Sequence, residues 1–380
     1  MIDFTLTEAQ ELIQKTAREF AIQHLAPNVM DRDENAEFPY EQLKLMGELG
    51  FMGMMVPEKY NGAGLDTLTY VLALEEIAAV EAATSTIMSV NNSLVCQLLV
   101  DWGTNTQKDQ YLKTLASGKK LGAYSLSEPQ AGSDASNLRT YARRKNGYYI
   151  INGTKNWVTN GINSDVVILF CLTDKNLGSK GISAFIVDKE MTGLSTGKKE
   201  DKLGIRASDT CELYFDDCKV PIENRIGDEG IGFKIAIKTL GGGRIGIAAQ
   251  ALGIARAALE AAVAYAAKRK QFGKIIGSFG AIQNKLANTA TEIDAARLLI
   301  WRAAKLKDKG KPYLKESSMA KLYASNVAMK AATDCVQIHG GYGYMREYGV
   351  ERLMRDAKIT QIYEGTSEIQ QLVISRELMK

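Results

Sequence analysis

Between about residue 120 and residue 225 the chain changes texture, and that change excludes any fold built of helices alone. Four short runs, YYIINGTKNWVTN, DVVILFCL, GISAFIVD and TCELYFDDCKVP, follow one another with turn residues between them. Their β-branched and aromatic side chains suit a pleated, half-buried surface, so they read as strands. Asn152-Gly153, lying between two such stretches, predicts a tight hairpin because both residues tolerate positive φ. On the N-terminal side, Leu12, Ile13, Ala17, Phe20 and Ala21 recur at helical spacing behind a Thr7/Gln10 capping box. FPYEQLKLMGELGFM continues that pattern, VPEKYNGAGLD breaks it and TLTYVLALEEIAAVEAATSTIM resumes it. After Gly227, Ala-rich helical segments lie near 229–270, 280–308, 316–338 and 350–361, and Ser367 with Gln370 reads as a capping box for a last helix. The expected fold is multidomain α+β. It has an N-terminal all-α domain over 1–119, a middle β-barrel-like domain over 120–226 and a C-terminal antiparallel four-helix bundle over 227–380.

Charge and cysteine usage narrow the function classes. A net charge of +3 over 380 residues is too small for tracking nucleic-acid phosphates, and the dense basic triplets 143–145 and 268–270 read as solvated faces. Five cysteines at wide, irregular spacing form no C-x-x-C pair, and their odd number argues for a reducing compartment. The opening MIDFTLTEAQELIQ shows no leader pattern, and no uncharged apolar run reaches about 18 residues, so neither export nor membrane insertion is expected. The location expected is cytoplasmic, or the mitochondrial matrix if the chain is a processed form.

Several familiar chemistries find no support. GGGRIG at 241–246 fits G-x-G-x-x-G, but helical texture on both sides removes the strand-to-helix turn that a dinucleotide pyrophosphate needs. The two histidines, His24 and His339, stand far apart without ligand company, so no metal site or Ser-His-Asp triad is expected, and His24 reads as a helix-surface residue. Acid–base work falls to carboxylates, tyrosines or lysines.

Five stretches remain. YSLSEPQAGSDAS at 124–136 offers small residues and hydroxyls that let backbone amides approach a planar or phosphorylated ligand. NWVTNG at 156–161 sets Trp157 and Thr159 on one face of a strand. RKQFG at 269–273 and QIHGGYGY at 337–344 place charged, amide and aromatic groups beside glycines at helix ends. RDAKITQIYEGTSEIQ at 355–370 puts Glu364 between a tyrosine and a glycine, just before a helix start.

In this order the stretches resemble the acyl-CoA dehydrogenase family over the whole chain, and GRIGIAAQALGIA is most similar to its short-chain, butyryl-CoA type. The resemblance implies that family's fold, an FAD cofactor, and conversion of an acyl-CoA thioester to the trans-2-enoyl-CoA, with electrons passed to an electron-transferring flavoprotein. It implies flavin and pyrophosphate contacts at Tyr124, Leu126, Ser127, Gly132 and Ser133, and flavin cover from Trp157, Val158 and Thr159. Arg269, Phe272, Gln337, Ile338, His339, Gly340 and Gly341 match positions that meet the adenosine diphosphate from a neighbouring subunit, which implies a homotetramer. Thr366, Ser367 and Glu368 match further FAD contacts at a helix N-terminus. Ser133, Gly241, Gly242, Gly243, Arg244, Tyr363 and Gly365 would border the substrate.

Glu364 matches the catalytic base. Some relatives carry the base directly before the arginine equivalent to Arg244, where this chain has Gly243, so the resemblance leaves Glu364 alone in that role. Two departures stand out: many short-chain relatives have Asp at the position of Gly241, and Gln is common at that of Gly280. An enoyl-CoA reductase working in reverse and an oxidase remain open within the family. A nicotinamide oxidoreductase and a non-catalytic helical scaffold remain open outside it.

Overall fold

The computed structural model describes residues 5–380; Met1–Phe4, part of the stretch inspected for a leader, lie outside the described residues. Among the described residues eight α-helices precede the sheet: α1 (Glu8–Phe20), α2 (Val29–Asn35), α3 (Tyr40–Glu48), α4 (Thr67–Val80), α5 (Ala82–Ser89), α6 (Gln97–Trp102), α7 (Asn105–Gln107) and α8 (Lys113–Ala116). The Thr7/Gln10 capping box forms as expected, with the Thr7 hydroxyl accepting from the Gln10 N–H. The helix α4 is apolar all round and almost wholly buried, which identifies it as a core helix. Its acids Glu75 and Glu76 are tolerated there because they face Arg256, 3.1 and 2.6 Å away, with Arg297 on Glu75 and Arg18 on Glu76.

The strands are β1 (Gly122–Ser125), β2 (Tyr141–Lys145), β3 (Tyr148–Thr159), β4 (Val166–Leu172), β5 (Ile182–Asp188), β6 (Leu194–Thr196), β7 (Thr210–Pro221) and β8 (Arg225–Ile226). They form one mixed sheet in the order β6-β7-β3-β2-β4-β5-β8, with β1 parallel to β4. All seven residues of β4, VVILFCL, are buried, as a continuous apolar run with both faces covered requires. One face packs among the sheet's own residues Tyr149, Phe185 and Leu213; the other meets Leu98, Leu112 and Ile235 from flanking helices.

The remaining helices are α9 (Gly232–Ala266), α10 (Gly280–Asp308), α11 (Leu314–His339), α12 (Val350–Thr360) and α13 (Ser367–Leu378), with a two-residue strand pair, β9 (Lys270–Gln271) and β10 (Lys274–Ile275), between α9 and α10. The helix α9 is long and apolar enough to cross a bilayer, yet it is the core helix of the bundle, touching α4, α10, α11 and α12. Leu72 and Ile77 of α4 share one apolar cluster with Leu252 and Ile254 of α9, so the first and third regions have a common core. GGGRIG lies inside α9, which removes the pyrophosphate loop that a nicotinamide reading needs.

Two local expectations are corrected. Asn152-Gly153 is no hairpin: it lies within β3, where Gly153 marks a register shift and an added Cβ would stand 2.6 Å from Thr140 Cα. The tight turn falls at Asn146-Gly147, where both residues have positive φ (49° and 79°), the condition a two-residue hairpin imposes. At the last helix the N-cap is Thr366, one residue earlier than expected, because its backbone is extended and its hydroxyl accepts from the Ile369 N–H. Gln370 instead turns back, donating to the carbonyls of Glu364 and Gly365 at 3.1 and 2.8 Å.

Candidate active site

The chain leaves α12 at Thr360 and turns through Tyr363 and Glu364 before α13. Glu364 (φ 52°) and Gly365 (φ 94°) are both left-handed. Among the described residues ten non-glycines have positive φ; five are neither Asn nor Asp, and three of those five are Trp157, Phe272 and Glu364. Such conformations cost of order 1–3 kcal/mol each and persist where the surroundings over-determine them. Around Glu364 the hold is visible: Gln370 bonds both carbonyls, and Lys321 Nζ donates to the Gly365 carbonyl at 2.7 Å. Gly365 is required on two counts, its φ and the 2.7 Å that would separate an added Cβ from Gln370 Nε2.

The Glu364 carboxylate lies against α9 at Gly243. A Cβ on Gly243 would overlap Glu364 Oε2 and approach Leu94 Cδ2 to 2.7 Å. The two positions that the resemblance put forward for a base therefore converge on one place, and of the two only Glu364 has a side chain there. Oε2 is buried without a partner, and the Glu364 N–H donates to no acceptor among the described residues. Burial pushes the carboxyl up to about 7, with Lys321 and Arg244 pulling in the opposite direction. Its charge is in turn felt by Tyr70 of α4, Tyr124 of β1 and neighbouring Tyr363, so all three regions of the chain meet at this carboxylate. The Tyr363 hydroxyl contacts Gln250 of α9, whose amide also donates to Ala82, Ser85 and Thr86. Arg244 is 3% exposed and donates to Ser318 at 3.1 Å, leaving its Nε unpartnered.

The two stretches expected to meet a flavin are joined to each other by hydrogen bonds. Asn156 N–H donates to the Ser127 carbonyl, and the fully buried Lys155 donates to the Leu126 carbonyl and to Glu128, each at 2.8 Å. Glu128 also accepts from the backbone of Arg139 and Thr140 and from Gln130. This buried pair welds the 124–136 loop to β3, and sequence reasoning missed both partners although it quoted both stretches. Gly132 and Ser133 are exposed on the loop, with open space where a Gly132 side chain would stand. Trp157 is 63% exposed, a large aromatic held off the core by its left-handed backbone, while Thr159 is half-buried. Leu126 and Val158 are buried in the cores beneath. Ser125 Oγ is buried without a partner, so a hydroxyl remains to be satisfied on this wall. An exposed indole, an open glycine and free polar groups fit a planar, polar cofactor such as a flavin.

Arg269, Ile338, His339, Gly340 and Gly341 come together elsewhere, lining a cleft of about 510 Å³ with Tyr342. Arg269 sits over the Tyr342 ring and His339 stacks on Tyr265 at 4.1 Å. Gly340 and Gly341 face open space, whereas Gln337 is exposed outside this cleft and Phe272 stands 92% exposed beyond it. Neither Glu364 nor the 124–159 motif residues line it. Gly280, the first residue of α10, also has open space at its Cβ, so the amide common in relatives is simply absent here. Thr366 and Ser367 are half-buried and Glu368 exposed at the start of α13.

A larger cleft of about 1210 Å³ opens at Gly241, edged by five lysines, among them Lys234, Lys238, Lys307 and Lys311, and by the five acids Asp66, Asp101, Asp308, Glu316 and Glu377. The Tyr313 ring lies 3.7 Å from where a Gly241 side chain would begin and its hydroxyl at 4.0 Å, so a phenol occupies the region of the missing Asp. Tyr313 hydroxyl and Lys307 also border Gly242.

The sequence compares accordingly. Family models described as acyl-CoA dehydrogenase N-terminal, middle and C-terminal domain match residues 7–119, 123–218 and 230–379. A short-chain specific acyl-CoA dehydrogenase of Clostridium acetobutylicum is 50% identical over the full length of both chains. Among solved structures, butyryl-CoA dehydrogenase from Megasphaera elsdenii superposes with a TM-score of 0.98 at 48% identity, covering both chains completely. A chain in a structure of the electron transferring flavoprotein of Acidaminococcus fermentans, described in terms of flavin-based electron bifurcation, gives 0.99 at 51%, again over both full lengths. With three matching domains in series and relatives of this identity, the chain belongs to the acyl-CoA dehydrogenase family of FAD-dependent oxidoreductases.

Proposed function

We propose that the protein oxidises a short-chain acyl-CoA to the trans-2-enoyl-CoA, with Glu364 removing the α-proton. The observation that carries this reading is a carboxylate with an unpartnered buried oxygen, raised to about 7, lying over Gly243 where the chain offers no other base. An α-proton of a thioester is weakly acidic, so the base must be desolvated and the carbonyl polarised at the same time. The free Glu364 N–H suits the second task, donating to the thioester oxygen while the adjacent carboxylate takes the proton. When bound, FAD supplies the acceptor for the hydride that leaves the β-carbon. Trp157, Thr159 and the 124–133 loop would hold the flavin, with Thr366 to Glu368 beside it. Ser133, Gly241 to Arg244, Tyr363 and Gly365 would shape the acyl path.

The cleft at Gly241 would take the coenzyme A part, its lysines meeting the phosphates and Tyr313 supplying a polar contact in place of the absent Asp, although the same lining carries as many carboxylates as lysines. Arg269, Phe272 and residues 337–341 would meet the FAD adenosine diphosphate of another subunit. Their separation from Glu364 and the exposure of Phe272, Tyr344 and Met345 support a homotetramer, which light scattering would register as four times the monomer mass. Likeness to a chain in an electron transferring flavoprotein structure supports such a flavoprotein as electron acceptor. Five buried, unpaired cysteines agree with work in a reducing compartment, which we take to be the cytoplasm.

The test is anaerobic addition of butyryl-CoA to the purified yellow protein. Bleaching of the flavin band, and its return on adding oxidised electron-transferring flavoprotein, are expected; a spectrum that no acyl-CoA changes refutes the reading. The base must be ionised to act, so kcat/KM for the free enzyme should rise with pH through about 7 and level off above it. Gly243→Ala should push the carboxylate aside: a displacement near 1 Å costs about 10²-fold in turnover, with FAD content unchanged. Wild-type turnover in that variant would place the working base elsewhere.

A further inference from the structure

Lys321 is fully buried on α11, where Ser317, Ala324 and Ala328 continue the same inward face. Buried lysines are rare unless paired, yet among the described residues no carboxylate lies within ion-pair distance of this one. Its one hydrogen bond is to the Gly365 carbonyl at 2.7 Å. That carbonyl already accepts from the neutral Gln370 amide at 2.8 Å, so a second donor adds little that an uncharged side chain would not supply. What the ammonium adds is charge, and the carboxylate that faces it most strongly is Glu364.

We propose that Lys321 is a positioning residue for the base, holding the left-handed Glu364–Gly365 turn through the Gly365 carbonyl and presenting a buried positive charge to the Glu364 carboxylate. The inference rests on Glu364 being the base. Lys321 offsets part of the burial that favours the protonated acid, and it anchors the turn through the Gly365 carbonyl. The other charged and titratable groups facing the pair are Arg244 from α9 and Glu368 from α13, together with Tyr70 of α4, Tyr124 of β1 and Tyr363. Arg244 is the second cation acting on Glu364, so loss of Lys321 weakens the stabilisation of the carboxylate without abolishing it. Burial draws Lys321 itself down to about 7, so its charge fades at alkaline pH and the support it gives the base fades with it.

The test compares Lys321→Met, Lys321→Gln and Lys321→Arg as FAD-loaded tetramers, with kcat and KM for butyryl-CoA measured across pH. Removing a cation raises the carboxylate's pKa. The acid limb of kcat/KM should therefore move to higher pH by roughly one unit in the Met and Gln variants. Turnover at pH 7 should fall about fivefold, the loss in ionised fraction when a base titrating at about 7 moves up by one unit, with KM changed less than about threefold. The Gln variant keeps a donor for the Gly365 carbonyl, so it reports on charge even if the Met variant fails to fold. Lys321→Arg should return the limb to its wild-type position. An unmoved limb in the Gln variant, or an equal displacement in the Arg variant, overturns the proposal. Glu364→Gln assayed alongside separates the two readings. If it is fully active the base assignment fails; if it is inactive while the Lys321 variants keep the wild-type limb, only the role of Lys321 fails.

Discussion

Glu364→Gln is expected to lower turnover on butyryl-CoA by at least about 10²–10⁴-fold while FAD and acyl-CoA still bind. Gln matches Glu in size and tolerates the same backbone, so the turn held by Lys321 and Gln370 survives, as does the backbone N–H of residue 364. The change removes only the group that accepts a proton. Gly243 cannot substitute, having no side chain, and burial raises the pKa values of Tyr70, Tyr124 and Tyr363, so their phenols stay protonated at neutral pH and cannot accept the proton. Single-turnover bleaching measures the loss directly, and the spectral shift on mixing with butyryl-CoA reports binding separately. If bleaching ran at the wild-type rate, the proton would be leaving by another route and the site would have to be rebuilt around a different residue.

Why Glu364 could be singled out in the sequence, and Lys321 could not, comes down to what a linear pattern encodes. Glu364 stood in a motif, and a neighbouring glycine together with a helix start signalled a turn. Lys321 stands inside an ordinary amphipathic helix, SSMAKLYASNVAM, where a lysine normally marks the wet face. Counting the phase of Ser317, Ala324 and Ala328 would have put it on the dry one. Glu128 and Lys155 were hidden for another reason: they are 27 residues apart, and only the pairing of the 124–136 loop with β3 brings their charges together. The three-region order was legible because hydrophobic period changes from helix to strand and back. Turn chemistry was legible only where it was unambiguous. Asn152-Gly153 and Asn146-Gly147 carry the same letters, and the choice between them was made by β3 continuing past Gly153 against Thr140.

Lys155→Met should destabilise the protein by about 3–5 kcal/mol, the cost of leaving a buried carboxylate without its cation. Glu128 has 2% of its surface exposed and Lys155 none, so no water can replace the lost partner. Despite burial, the Lys155 charge and bonds from Lys155, Arg139 and Gln130 hold the Glu128 carboxyl below the ordinary carboxylate range. With the cation gone, Glu128 must take up a proton or drag the loop outward to reach solvent. Either route loosens residues 124–136, so the damage should show in the cofactor before it shows in the fold. We expect a lowered melting temperature together with a reduced FAD-to-protein ratio that excess FAD partly restores. Replacing both members, Lys155→Met with Glu128→Leu, removes the stranded charge and should recover part of the stability. It should not recover FAD retention, because the backbone N–H groups of Arg139 and Thr140 and the Leu126 carbonyl would still lack their partners. A single variant that keeps both melting temperature and FAD content would show that the loop is held by its backbone bonds alone.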